Sequence, residues 1–206
     1  MRIDLVANGL IKDLTYFKKE IKRSDLIIAA DAGYDYILNA GIIADIFVGD
    51  MDSVCSNIDH DVHQIVLKKD KDKSDLEIAL DLAVSLKPSD VYIWGALGKR
   101  LDHQFFNIDL LLKYKKNNIK IKDHDVELFL VNHGYHFKDF VGKTVSFFLS
   151  SDKVTGLTLK GFKYGLSEKT IKKGNTILLS NRIIKKNATV SLLNGSLYCI
   201  INYEQK

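Results

Sequence analysis

The chain is poor in cysteine and contains no long apolar run. Only two cysteines, Cys55 and Cys199, occur in 206 residues. They are too few and too far apart for a disulfide framework or a zinc knuckle, so reduced thiols are expected. No apolar stretch approaches the roughly 18 residues of a membrane-spanning helix, and the N-terminus lacks the features of a signal peptide. These absences predict a cytoplasmic protein with no membrane association.

The chain also lacks a strong excess of charge of either sign. Lysine and arginine number 30 against 26 aspartates and glutamates, a net charge of +4. A dedicated nucleic-acid binder usually carries more, so no nucleic-acid partner is expected. The average hides a split, because residues 1–120 carry a net −2 and residues 121–206 a net +6. A hydrophobic fraction of 46% is sufficient for a core and excludes a disordered chain.

The first 120 residues alternate short β-branched runs with helical patterns, which is typical of a parallel sheet covered by helices. The clearest helix follows a capping box, Ser74-Asp75-Leu76-Glu77, and must end before Pro88. Strands are predicted at residues 3–7, 26–30, 46–48, 64–67 and 91–94. Helices are predicted at residues 14–21, 34–39, 76–86 and 105–114.

From about residue 123 the pattern changes to short strands separated by Gly, Asn and Asp. Asn194-Gly195 is a two-residue hairpin signal. Strands are predicted at residues 126–132, 135–137, 143–149, 154–159, 176–179, 188–193 and 196–203. The chain should therefore be an α/β N-terminal domain with a mainly parallel sheet, residues 1–122, followed by an all-β sandwich domain, residues 123–206.

Aspartates concentrate where the predicted parallel strands end, which is the edge at which open α/β sheets bind ligands. They lie in four segments, residues 31, 50–53, 72–75 and 95–103. So many carboxylates in one place would repel one another unless a hard divalent cation lay among them. Lys99 and Arg100 in the last segment suggest that the cation comes with phosphates. Taken singly, each aspartate could equally be a turn former or a helix cap, and the two basic residues a solvated pair.

Six segments occur in the order in which one known family has them. They are A-D-A-G (30–33), G-D-M-D-S (49–53), D-K-S-D (72–75), G-A-L-G-K-R-L-D-H (95–103) with Asn107, K-G-F-K-Y-G-L (160–166) and L-S-N (179–181). On these segments the chain resembles the thiamine pyrophosphokinases. It departs from the family at Ser74, where threonine is common, and at Lys99, which replaces a glycine. Lysine at that position should keep the backbone out of conformations that only glycine adopts readily.

The resemblance implies transfer of the pyrophosphoryl group of ATP to the hydroxyl of thiamine, giving thiamine diphosphate and AMP. Residues 1–122 would bind ATP and catalyse the transfer, residues 123–206 would bind thiamine, and a homodimer would build its active sites between subunits. A carboxylate, Asp75 or Asp31, would take the hydroxyl proton.

The implied site falls into four groups of residues. The ligands of Mg²⁺ would be Asp50, Asp52 and Asp75. The catalytic residues would be Asp31, Asp52, Asp75, Arg100 and Asp102. The ATP contacts would be Asp50, Ser53, Ser74, Lys99, Arg100, His103 and Asn107. The thiamine contacts would be Tyr164, Ser180 and Asn181.

Two other functions remain open at this point. The Asp50-Met51-Asp52 loop is similar to the nucleophile loop of haloacid-dehalogenase-type phosphatases, in which the first aspartate is phosphorylated. The chain could also be a non-catalytic sensor that binds a nucleotide or thiamine. Formation of AMP from ATP and thiamine, rather than free phosphate or no product, distinguishes the three hypotheses.

Overall fold

The computed structural model describes residues 1–50, 57–68 and 72–203. The chain divides into two compact units, Met1–His124 and Asp125–Lys206. The elements of the first unit are β1 (Arg2–Val6), α1 (Leu14–Ile21), β2 (Leu26–Ala30), α2 (Gly33–Asn39), β3 (Ile46–Gly49), β4 (His63–Val66), α3 (Asp75–Ser85), β5 (Asp90–Trp94), α4 (Leu101–Lys113) and β6 (Ile119–Lys122).

The strands of this unit are ordered β6-β5-β1-β2-β3-β4, and every neighbouring pair is parallel. The predicted parallel sheet is therefore confirmed. In the centre, Val6 of β1 pairs with Ala29 of β2 and with Trp94 of β5. Because the strands run in one direction, the segments that leave β1, β2, β3 and β5 all emerge at the same edge of the sheet.

Successive strand residues point to opposite faces of the sheet, and nearly every residue of β1, β2 and β3 is buried. Helices therefore pack against the sheet to cover these residues. On one face, Phe17 of α1 and Ile37 of α2 share a core cluster with Val6, Ala29 and Phe47. Helix α3 packs against β1, β2 and β3 and buries Leu76, Ala79, Leu80 and Ala83. No helix in the described part of the chain is long and apolar enough to span a membrane.

The start of α4 differs from the predicted one. The helix begins at Leu101, four residues before the expected start, and its N-cap position is held by Arg100, whose side chain is not a capping type. Leu101 and Phe105 are each 65% exposed. Leu101 and Phe105 are spaced as on one helix face, but without a capping residue at position 100 the usual signal of a helix start is missing.

The second unit consists of strands. They are β7 (Val126–Val131), β8 (Gly134–Lys138), β9 (Thr144–Leu149), β10 (Lys153–Lys160), β11 (Leu166–Lys172), β12 (Asn181–Arg182), β13 (Asn187–Ser191) and β14 (Leu197–Asn202). They form two antiparallel sets, β12-β9-β14-β7 and β11-β10-β13-β8. One core cluster takes residues from both sets, among them Phe137, Phe147 and Leu157. The predicted sandwich is confirmed.

Two local predictions in this unit are wrong. Asn194-Gly195 does not close a hairpin, because β13 pairs with β8 and β10 whereas β14 pairs with β7 and β9. Residues 176–179 form a turn rather than a strand, although Leu178 is buried and its carbonyl accepts a hydrogen bond from the Phe147 amide at 3.0 Å. Both segments lie in connections between the two sets of strands, residues 176–179 between β11 and β12 and Asn194-Gly195 between β13 and β14.

Candidate active site

A cavity of about 300 Å³ lies where the strands of the first unit end. The segments after β1, β2 and β5 and the first turns of α3 and α4 contribute its walls. The lining residues are Ala7, Asn8, Gly9, Ala30, Asp31, Ser74, Asp75, Leu76, Gly95, Ala96, Gly98, Lys99, Arg100, His103 and Asn107.

Two glycines allow these segments to approach one another closely. The Gly9 amide donates to the Gly95 carbonyl at 2.6 Å, and a Cβ on Gly9 would lie 2.1 Å from that oxygen. A Cβ on Gly33, at the start of α2, would lie 2.0 Å from the carbonyl oxygen of Val6. No larger residue fits at either position without moving backbone, so the cavity depends on both glycines.

The acidic wall is formed by Asp31 and Asp75. Asp31 follows β2 in the left-handed conformation, with φ 55°, and its amide donates to the Val48 carbonyl at 2.9 Å. Asp75 is the first residue of α3, and Ser74 caps that helix by accepting a hydrogen bond from the Glu77 amide at 3.2 Å. Ser74 is the N-cap, as predicted, and the cap holds Asp75 at the helix N-terminus, where negative charge is favourable.

An ion pair anchors the loop that leads into α3. The Lys73 ammonium donates to Asp81 at 2.7 Å, and the Tyr114 hydroxyl donates to the same carboxylate at 2.6 Å. These two hydrogen bonds, the one from Lys73 foremost, lower the pKa of Asp81 below its ordinary value. The loop carrying Ser74 and Asp75 is thereby tied to the body of α3.

The basic wall is formed by Lys99 and Arg100. Arg100 makes a two-point contact with Asp102, with nitrogen–oxygen distances of 3.1 and 2.5 Å. That contact lowers the pKa of Asp102 to about 2 and raises the pKa of Arg100. Lys99 donates to the Asn8 side-chain oxygen at 2.8 Å. The cavity thus brings two acidic and two basic side chains together at one sheet edge.

Lys99 corrects an expectation drawn from its departure from the family pattern. Its φ is 54°, in the left-handed region that favours glycine. The side chain therefore does not keep the backbone out of this conformation, although an L-residue adopts it at a cost of roughly 1–2 kcal/mol.

Several other predicted residues also meet here. His103 and Asn107 line the cavity from α4, and the Asn107 amide donates to the Ala96 carbonyl at 2.8 Å, which fixes the loop after β5. Among the residues that the structure describes, Asp50 and Asp102 do not line the cavity, although Asp50 directly follows β3. Asp52 and Ser53 lie outside the described residues.

Asn8 and Gly9 line the cavity but were not predicted. Their position directly after the first strand was the available signal, since the same rule drew attention to Asp31 and Asp50. Neither carries a charge, so the acidic and basic pattern of the sequence does not indicate them.

The second unit carries an open cleft of about 520 Å³ near the predicted thiamine residues. Its lining residues are Lys163, Tyr164, Gly165, Leu166, Ile177 and Leu179. The Tyr164 side chain is 56% exposed there. Of the described residues in the predicted thiamine set, Ser180 and Asn181 do not line the cleft.

Asn181 instead holds the backbone of Tyr164. It is buried, its side-chain oxygen accepts a hydrogen bond from the Tyr164 amide at 3.0 Å, and its side-chain nitrogen donates to the Tyr164 carbonyl at 2.7 Å. Ser180 precedes it with φ 53° and donates its amide to the Ser146 hydroxyl at 2.9 Å. Asn181 therefore holds the backbone of Tyr164, a residue that lines the cleft, without lining the cleft itself.

Two family models match this chain. Residues 17–122 match the thiamin pyrophosphokinase catalytic domain, and residues 131–197 match the thiamin pyrophosphokinase vitamin B1 binding domain. Thiamine pyrophosphokinase of Bacillus subtilis is 36% identical over 210 residues, covering 96% of this chain and 97% of that protein.

Solved structures agree with these matches. A crystal structure of thiamine pyrophosphokinase from Bacillus subtilis superposes with a TM-score of 0.85 at 32% identity, covering 100% of both chains. One from Geobacillus thermodenitrificans gives a TM-score of 0.88 at 32% identity, covering 100% of this chain and 99% of the other. Neither the phosphatase nor the sensor hypothesis is supported by these comparisons. The matched catalytic segment contains most of the cavity and the matched vitamin segment contains the Tyr164 cleft, and the chain belongs to the thiamine pyrophosphokinase family.

Proposed function

We propose that the cavity at the strand edge binds the triphosphate of ATP and that the Tyr164 cleft binds thiamine. The observation that carries this assignment is that one cavity is lined by both acidic and basic side chains, namely Asp31, Asp75, Lys99 and Arg100. A triphosphate is polyanionic, so its site needs cations, and carboxylates beside those cations indicate a bound metal. The family's reaction moves the pyrophosphoryl group of ATP to the thiamine hydroxyl.

The carboxylates of the cavity suit Mg²⁺, a hard cation that prefers oxygen ligands. Asp75, which lines the cavity, would hold it, and the other predicted ligands are Asp50, which directly follows β3 at the same sheet edge, and Asp52. When bound, the ion neutralises charge on the phosphate oxygens. Arg100 and Lys99 add positive charge to the lining of the same cavity, and the two-point contact with Asp102 orients the guanidinium plane of Arg100.

The chemical step needs a base and a leaving group. The thiamine hydroxyl oxygen attacks the β-phosphorus, the bond between that phosphorus and the α,β-bridging oxygen breaks, and AMP departs with the electron pair. The hydroxyl proton passes to a carboxylate of the cavity, for which Asp31 and Asp75 are the candidates. His103 and Asn107 complete the nucleotide site, and Ser74 holds Asp75 in place through its cap.

Thiamine is cationic and aromatic, which suits an exposed aromatic ring with apolar neighbours. Tyr164 supplies the ring, and Ile177 and Leu179 are apolar neighbours in the same cleft. We assign Asn181 to positioning Tyr164, and Ser180 to the turn that precedes Asn181.

We further propose a homodimer with active sites between subunits. Helix α4 supports this, because Leu101, Phe105 and Phe106 are 65%, 65% and 74% exposed on the helix that also carries His103 and Asn107. Apolar side chains of this size gathered on one exposed helix mark an interaction surface. Sedimentation should show a dimer, and a fully active monomer would rule out a shared site. Use of ATP also fits the cytoplasmic location expected from the sequence.

The decisive assay measures AMP formed from ATP in the presence of thiamine and Mg²⁺. We expect AMP only when all three are present. Asp31→Asn and Asp75→Asn should each lower turnover by roughly 10²- to 10³-fold, whereas Asp152→Asn, an exposed aspartate of the second unit, should not. Loss of a metal ligand should be partly recovered at high Mg²⁺, and loss of the base should not. Near-normal activity of both variants would contradict the assignment of the cavity.

A further inference from the structure

Asn8 is the one residue with a side-chain amide in the loop that follows β1, and it contacts Lys99. Its side-chain oxygen accepts a hydrogen bond from the Lys99 ammonium at 2.8 Å, across 91 positions of sequence. Both residues line the cavity. Lys99 stands where the family pattern has glycine, so this contact is not one that the pattern supplies.

The backbone on either side of this contact is fixed. The Gly9 amide donates to the Gly95 carbonyl at 2.6 Å, and the Leu10 amide donates to the Leu97 carbonyl at 2.7 Å. These two bonds join the loop after β1 to the loop after β5, immediately beside Asn8 and Lys99. The backbone that carries Asn8 is therefore held beside the loop that carries Lys99.

The ammonium of Lys99 is guided by a second group. It lies 5.7 Å from the centre of the Tyr36 ring, within the range of a cation–π contact. A lysine side chain has four flexible carbons and loses much conformational freedom when it is held in one place. Contacts from Asn8 and Tyr36 limit that freedom before any ligand arrives, so less of the cost falls on binding.

We propose that Asn8 is a positioning residue that aims the Lys99 ammonium at a phosphate oxygen of the bound nucleotide. An ammonium has three N–H donors, and the bond to Asn8 uses one of them. The others are available for an anionic ligand such as the polyphosphate of a nucleoside triphosphate. This inference rests on the proposed function, because it presumes that ATP occupies the cavity.

A double-mutant cycle tests the proposal through KM for ATP, using Lys99→Met, Asn8→Ala and the double variant. Methionine keeps the length of the side chain and removes its charge. Lys99→Met should raise KM for ATP about 10-fold, since a hydrogen bond to a charged group is lost. Asn8→Ala should raise it about 3-fold. If Asn8 acts only through Lys99, the double variant should match Lys99→Met.

A merely structural role for Asn8 would give a different pattern. It would change kcat, KM for thiamine and thermal stability together, in both backgrounds, whereas we expect KM for ATP alone to change. A double variant with a KM about 30-fold above the parent would show that Asn8 contacts the nucleotide independently and would overturn the proposal, as would an unchanged KM in Asn8→Ala.

Ionic strength supplies a second readout. Added salt should raise KM for ATP less steeply in Lys99→Met than in the parent, because one screened contact is missing. Asn8→Ala should also be less steep, and equal slopes in all proteins would contradict the positioning role. The proposed function fails separately, namely if the unaltered protein forms no AMP from ATP and thiamine.

Discussion

Replacement of Asn181 by alanine tests how the second unit shapes the Tyr164 cleft. The Asn181 side chain is 1% exposed and takes part in three hydrogen bonds with backbone groups. Two join it to the amide and carbonyl of Tyr164, and in the third it accepts from the Arg182 amide at 2.8 Å. Alanine removes all three and fills less space.

The expected loss of stability follows from these bonds. Each contributes about 1 kcal/mol net, so the variant should lose about 3 kcal/mol of unfolding free energy, and more if the Tyr164 and Arg182 groups stay dry. Asn181→Asp should lose at least as much, because it places a carboxylate at a position that is only 1% exposed. A carboxylate still accepts from both amides but cannot donate to the Tyr164 carbonyl, so one bond is lost and two oxygens face each other.

The same variant should weaken thiamine binding. A cation–π contact with a well-placed ring is worth about 1 kcal/mol, so a displaced Tyr164 should raise KM for thiamine about 5- to 10-fold. KM for ATP should stay unchanged. Urea unfolding and steady-state kinetics measure the two effects, and Asn187→Ala, at an exposed asparagine that begins β13, is the matched control.

Two results would refute the reasoning. An unchanged urea midpoint in Asn181→Ala would show that the three hydrogen bonds contribute nothing net. A lower midpoint together with an unchanged KM for thiamine would show that the bonds stabilise the sandwich but do not position Tyr164 for a ligand.

Three further predictions concern the first unit. Gly9→Ala should abolish AMP formation, because its Cβ would lie 2.1 Å from a carbonyl oxygen, and circular dichroism should still show a folded chain. Lys99→Gly and Lys87→Gly should each raise the unfolding free energy by about 0.5–1 kcal/mol in urea, since both lysines have φ above 50°, but only Lys99→Gly should raise KM for ATP. Asp81→Asn should cost about 0.5–1 kcal/mol at pH 7, because the ion pair is exposed. Since the pKa of Asp81 is lowered in the folded chain, its contribution is present above the ordinary value of 3.8 and is lost as the pH falls below it, so the parent and Asp81→Asn should converge there in urea unfolding.

The sequence predicted those parts of the fold that depend on local patterns. Helix α3 was found from its capping box and apolar face, and the Ser74 cap is present in the structure. Strand β11 was missed because Leu166–Lys172 is mostly exposed and polar, as suits an edge strand, so it shows no alternation of buried residues. Asn194-Gly195 has the composition of a hairpin turn, and only the pairing of β13 and β14 with other strands decides against it.

The candidate site was predictable as far as strand ends and charge could indicate it. These two signals predict Asp31, Asp75 and Lys99, and all three line the cavity. Asn8 and the positioning contacts of Asn181 could not be found in this way. Their roles depend on hydrogen bonds to residues 91 and 17 positions away, which no local pattern specifies.

Backbone conformation explains why the site resists a purely local interpretation. Asp31, after β2, and Lys99, after β5, both have φ near 55°. Gly95 and Gly98, in the loop that carries Lys99, also have positive φ. All four line the cavity, where the chain must turn sharply on leaving a strand to bring side chains back over the sheet edge. For the two non-glycine residues this costs roughly 1–2 kcal/mol each, which packing elsewhere in the unit must offset. Glycine at either position would relieve the strain but remove a charged group from the cavity, so the charge composition of the site is maintained at the expense of stability.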